Sequence, residues 1–217
     1  MADLNFEILD VEPQKYAASP QLIFKLRVAS ENELEVIQNI ALRCQIQIET
    51  TRRRYSKAEQ KRLRDLFGEP SRWGQTLKTM LWTHANVSVP SFRGGTTFDV
   101  PVECTFDFNV AATKYFAGLE DGEIPLLFQF SGTIFYADDN GALQVAQIPW
   151  SKETKFSLPA SVWQAMMDIY YPNSAWLRLR RDVFERLLEY KVKNGIPTWE
   201  QTLESILPDV KDEKNES

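Results

Sequence analysis

Ile40-Ala41-Leu42-Arg43-Cys44-Gln45-Ile46-Gln47-Ile48 decides the fold class. Successive side chains of a strand point to opposite faces, so Ile40, Leu42, Cys44, Ile46 and Ile48 share one side. Arg43, Gln45, Gln47 and the following Glu49 share the other. One apolar and one polar face is the pattern of an antiparallel strand with a core beneath it and water above. Upstream, Leu22, Phe24, Leu26 and Val28 repeat it. Downstream, Phe98, Val100, Val102, Cys104, Phe106, Phe108 and Val110 read as one long one-sided strand. Leu126, Phe128, Phe130, Gly132, Ile134 and Tyr136 form another. It runs into Asp138-Asp139-Asn140-Gly141, whose Asn-Gly pair tolerates the positive φ of a hairpin turn, with Leu143 and Val145 as the return. Weaker strands fall at Leu4–Leu9 and Leu77–Val89. The set predicts an α+β protein built on an antiparallel β-sandwich or a strongly curled sheet.

Helices are marked by their caps. Ser56 and Glu59 form a capping box, Leu63, Leu66 and Phe67 share a face, and Gly68 ends the helix, so one short helix is inserted near 56–67. After Pro159, Val162, Trp163, Met166, Met167 and Tyr170 recur at helical spacing until Tyr171-Pro172 breaks the run. Ser174 is the predicted cap of a longer helix carrying Trp176, Leu179, Val183, Phe184, Leu187 and Leu188, which ends near Asn194-Gly195. Arg180 falls beside its Trp176 and Phe184 face and is expected to be an internally paired arginine. Thr198 with Gln201 caps a last helix to about Leu207. The sequence therefore predicts a single domain over 1–217. Residues 1–157 form a mostly β core, 158–207 form helices packed on the sheet, and 208–217 form a frayed, charged tail.

Composition bounds the function classes. A chain of 217 residues with 43% hydrophobic residues can bury a core without a metal or disulfide staple. A net charge of −5 and a pI near 5.1 argue against nucleic acid or an anionic membrane as the main partner. No stretch approaches the roughly 20 apolar residues of a membrane helix. The start Met-Ala-Asp-Leu-Asn-Phe lacks a signal-peptide pattern, so a cytoplasmic setting is expected.

Chemistry-bearing residues are few. His84 is the single histidine, it lies in an aromatic strand stretch, and no G-x-S-x-G elbow accompanies it. Cys44 and Cys104 are the two cysteines. Both fall on apolar strand faces, where a thiol behaves as a small hydrophobe, and are expected to be buried neighbours across the sheet. That inventory excludes a Cys/His metal site by counting. Asp138 to Gly141 is read as turn chemistry rather than a calcium loop. Asp99, Glu103 and Asp107 recur along one strand face at roughly 13 Å, too wide for one shared ion, and are read as a solvated face. Phe92-Arg93-Gly94-Gly95-Thr96 opens a strand and not a helix, so it is a turn rather than a phosphate cradle. No catalytic, cofactor or metal residue is assigned.

The densest charge feature is Arg52-Arg53-Arg54-Tyr55, continued by Lys57, Lys61, Arg62 and Arg64. Arginine forks suit an acidic partner surface or a phosphorylated or nucleic-acid ligand, which makes these residues the candidate docking patch. Glu59, Asp65 and Glu69 nearby allow the plainer reading of a solvated, internally balanced face.

Several stretches resemble a family of uncharacterised bacterial proteins carrying only a domain-of-unknown-function label. They are Arg52 to Ser56, Leu66 to Gly74, Gly122 to Leu126, Phe130 to Tyr136, Ile148 to Trp150 and Trp176 to Leu179. The resemblance implies an accessory or assembly protein near nickel-iron hydrogenase genes and transfers no catalytic residue. The leading expectation is a non-catalytic binding or accessory protein whose partner is another protein. One rival is a ligand-binding or enzymatic β-sandwich whose site is assembled from sequence-distant residues, and another is a homo-oligomeric structural protein.

Overall fold

The computed structural model describes residues 3–105, 109–138 and 140–207. They divide into two compact units, Met1–Ser174 and Ala175–Ser217.

The first unit is a β-sandwich with open sheets. β1 (Leu4–Pro13), β2 (Gln21–Ser30) and β6 (Gly95–Glu103) form one sheet in the order β1-β2-β6. The second sheet runs β4 (Met80–Val89), β3 (Val36–Ile48), β7 (Glu123–Ala137), β8 (Leu143–Gln147); β5 (Phe92–Arg93) pairs with β3 and β9 (Glu153–Pro159) with β7. Every pairing is antiparallel.

The stretch from Ile40 to Ile48 lies in the middle of the second sheet, between β4 and β7. Its apolar set is wholly buried while Arg43 stands exposed on the other face. Phe24 of β2 meets it from the opposite sheet, edge-on to Phe128 at 5.1 Å and near Trp82 and Phe156; Phe6 stacks on Phe130 at 4.3 Å. These rings pack one sheet against the other. Gly132 has φ +137°, and a Cβ there would collide with the Ala41 carbonyl oxygen. Only glycine lets β7 lie this close to β3.

The long strand expected from Phe98 to Val110 is corrected. β6 ends at Glu103, and Val110 opens α3 (Val110–Gly118); Phe106, Asp107 and Phe108 lie outside the described residues. Asn109 caps α3 by accepting from Ala112 N, and its amide donates to the carbonyls of Leu81 and Trp82, which ties the helix to β4. Strand alternation and a helix carrying Ala112, Tyr115 and Phe116 inward produce overlapping apolar patterns here, and the cap separates them.

α1 (Lys57–Phe67) forms with the expected capping box and Gly68 stop. A short helix, α2 (Trp73–Thr76), follows it. α4 (Ala160–Tyr170) packs on β1, β2 and β9 and reaches α3, where Trp163 stacks on Phe116 at 5.5 Å.

In the second unit, the helix expected from Ser174 begins at Arg181. α5 spans Arg181–Lys193, and 174–180 are not helical. α6 (Trp199–Ile206) has the expected Thr198 cap, which accepts from Gln201 N. Among the described residues, no helix is long and apolar enough to cross a membrane.

Candidate functional site

The basic cluster resolves into two kinds of residue. Arg53 is internal: with 7% of its side chain exposed, it donates to Glu59 Oε1 at 2.6 Å, to the Glu123 carbonyl at 2.6 Å and to the Asp121 carbonyl. Among the described residues, its Nε is buried without a partner. Glu59, 3% exposed, also accepts from Ser56 N at 2.9 Å and Glu120 N at 3.0 Å. Burial opposes ionisation of Glu59, but the Ser56 and Glu120 N–H groups and the Arg53 guanidinium outweigh it and hold the carboxyl below its ordinary range. The pair thus fastens the start of α1 to the entry of β7, a structural task.

Tyr55 is half-buried. Its hydroxyl donates to the Thr50 carbonyl at 2.7 Å and lies 2.9 Å from the hydroxyl of Tyr115, which is fully buried; burial raises both phenols. Arg52 pairs with Glu49, Arg62 with Glu120 and Arg64 with Glu69. Arg54, Lys57 and Lys61 are exposed and, among the described residues, make no ion pair. The docking patch that eight residues suggested therefore offers three unneutralised cations.

His84 stands in an amide ladder on the outer face of the second sheet. Gln45 Nε2 donates to Gln129 Oε1 at 3.0 Å, so Gln45 Oε1 is the acceptor for His84 Nε2 at 3.1 Å; Gln47 donates to the same Gln129 oxygen. Cys44 sits in the second sheet and Cys104 follows β6 of the first, so they are not neighbours across one sheet. Burial pushes both thiols up to about 12. Asp138 serves the hairpin, accepting from Asn140 N, Ala142 N and Gln144 Nε2. Gly141 takes the positive φ expected of the Asn-Gly pair, +78°. Asp99 lies opposite Lys25 and Glu103 opposite Gln21, while Asp107 is outside the described residues. Among the described residues, no group of three His, Cys, Asp or Glu side chains is placed to hold a metal ion.

The second unit carries the feature that sequence reading described only as a stripe. α5 and α6 meet through Phe184 and Trp199, whose rings lie 5.2 Å apart, with Lys191 Nζ 5.8 Å over the Trp199 ring. Beside them Leu177, Leu179, Arg181, Phe184, Leu187, Trp199 and Leu203 line a groove of about 400 Å³. No residue of α5 is buried; Phe184 is 44% exposed and Leu177 67%. Arg180, expected to be internal, is exposed and pairs locally with Asp182 at 3.0 Å. The groove needed the true start of α5, which puts Leu177 and Leu179 on an extended lead-in rather than on the helix.

A family model described as a family of unknown function, DUF6084, matches residues 1–215. No curated protein matches the chain. Among solved structures, a Bordetella pertussis protein described as ApaA is 12% identical over 73% of this chain and 95% of its own, with a TM-score of 0.28. A protein described as late embryogenesis abundant is 14% identical over 72% of each chain, at 0.33. An Archaeoglobus fulgidus protein is 12% identical over 70% of this chain and 97% of its own, at 0.31. Likenesses this distant carry no argument about activity.

Proposed function

We propose that the chain, which belongs to the DUF6084 family, is a non-catalytic binding or accessory protein that takes an apolar segment of a partner protein into the α5–α6 groove. The groove carries this reading: its lining is almost wholly apolar, it includes Trp and Phe, and α5 keeps no residue out of water. An amphipathic stripe without burial of its own gains most of its stability from a covering surface. Trp and other large aromatic side chains in such a groove serve as binding anchors. The groove's polar lining residue is Arg181, and Arg178 and Arg180 lie on the same lead-in. Arg180 and Arg181 pair locally with Asp182 and Glu185, so a partner segment recognised by its apolar anchors fits it. We take the setting from the family resemblance: the assembly or maturation of a larger enzyme complex, with nickel-iron hydrogenase as the first complex to examine.

The test is affinity purification from native cells with the wild-type chain, F184D and the triple variant R54E/K57E/K61E. A defined partner recovered with the wild type and the triple variant but not with F184D supports the groove. Loss with the triple variant alone would move the site to the basic surface. Because Phe184 also holds α5 on α6 through Trp199, L177D, at a lining residue 67% exposed, is the second variant: a partner still recovered with L177D overturns the proposal.

A further inference from the structure

The free edge of the second sheet poses a separate question of pairing. β8 and β9 lie end to end along the same side of β7, which leaves β8 as an edge strand with β7 as its single partner. The hydrogen bonds Ile148 N to Gly132 O and Asp138 N to Ala142 O fix the phase of that ladder. Even-numbered residues of β8 bond to β7, so the N–H and C=O groups of Leu143, Val145 and Gln147 point away from it. Among the described residues nothing accepts or donates to them.

Edge strands are ordinarily blunted by lysine, proline or a bulge. Here Ala142-Leu143-Gln144-Val145-Ala146-Gln147-Ile148 holds no charge and no proline, and its register with β7 is unbroken. Two of these three outward-bonding residues also carry apolar surface, with Leu143 64% and Val145 57% exposed beside the half-buried Phe135. Unpaired backbone and uncovered apolar side chains coincide on one short strand.

We propose that β8 pairs antiparallel with β8 of a second copy of this chain, about a twofold axis at Val145. This register uses all of the strand: Val145 faces Val145 of the second copy, and Leu143 faces Gln147 of the second copy. The uncharged strand is self-complementary, so two acidic chains of net charge −5 meet there without like charges opposed. The twofold sets the start of one strand beside the end of the other. It also brings the Ile148–Trp150 end of one copy to the Asn140–Ala142 end of the other. Trp150 is 92% exposed, and an open, largely polar cavity of about 660 Å³, with Asn32, Leu34, Glu35, Tyr136, Asp138 and Gln144 in its lining, lies at that hairpin end. The exposed indole of each copy thus lies toward the hairpin end of the other, twice across one axis. This contact belongs to the first unit and is independent of the α5–α6 groove.

Sedimentation across a concentration series tests it. The wild type forms a species of twice the 25.1 kDa chain mass. V145K and V145E each remain monomeric with an unchanged circular dichroism spectrum, because Val145 lies at the surface. Mixing the two restores a dimer, since the axis sets the introduced lysine of one chain against the introduced glutamate of the other. W150A weakens dimerisation by about thirtyfold. Amide hydrogen exchange supplies a readout free of mutation: the N–H groups of Val145 and Gln147 gain protection as concentration rises. A wild type that stays monomeric, a dimer that tolerates V145K, or a mixture that fails to pair would each overturn the proposal.

Discussion

Removing the Glu59 carboxylate is the sharpest test of how the first unit is held together. Glu59 is 3% exposed and accepts from Arg53, Ser56 N and Glu120 N, so E59A strips three donors of their acceptor. Breaking a buried pair costs about 3–5 kcal/mol, because one charge is left without its counterpart. Arg53 keeps the carbonyls of Asp121 and Glu123, and Ser56 and Glu120 are exposed residues where water can replace the lost acceptor. The lower end, about 3 kcal/mol, is therefore expected. For a chain of this size that lowers the thermal midpoint by about 6–12 °C. Calorimetry on E59A, R53M and the double variant measures it, with the double variant less destabilised than the sum of the singles by about 1–3 kcal/mol. The acid limb gives an independent sign. Because the folded-state pKa lies below the ordinary value of 4.5, this stabilisation is present above that pH and is lost as pH falls through the folded-state value. E59Q should flatten that limb. A midpoint shift for E59A under about 2 °C, or an additive cycle, would refute the reasoning.

Three further outcomes are expected. G132A should lower stability by more than about 1 kcal/mol in denaturant melts, since it forces a Cβ against the Ala41 carbonyl at φ +137°. Cys44 and Cys104 should resist a thiol reagent at neutral pH until the chain unfolds, because both thiols are buried and raised to about 12; rapid native labelling would contradict this. R54E/K57E/K61E should leave the thermal midpoint within about 1 °C of the wild type, as these cations make no ion pair among the described residues.

Much of the sheet architecture was legible because a strand with one wet face writes its orientation into every second residue. Ile40 to Ile48 and Leu22 to Val28 are found where the alternation puts them. The capping box at Ser56 and the cap at Thr198 were equally readable, since each is a local hydrogen bond. Val110 was misread because a buried helix after a strand continues an apolar pattern without a break; Asn109, which caps α3, was the available signal. β9, with Thr154 and Phe156 half-buried between exposed Glu153, Lys155 and Ser157, alternates weakly and was passed over. The basic cluster shows the limit of reading charge from sequence. Arg53 and Arg54 are adjacent and chemically identical, yet one is enclosed by Glu59 and two carbonyls and the other stands in water. Only the path of the chain from residue 120 to residue 123 separates them. The groove was hidden for a similar reason, since its wall combines an extended lead-in with two helices.

Site-specific photocrosslinking in native cells tests the proposed partner groove most directly. A photoreactive residue at Leu203, inside the groove, should yield one discrete adduct with a partner protein, and the same residue at exposed Lys57 should not. Adducts from both positions alike, or none from Leu203 while Lys57 captures a partner, would contradict the assignment of the α5–α6 groove as the binding surface.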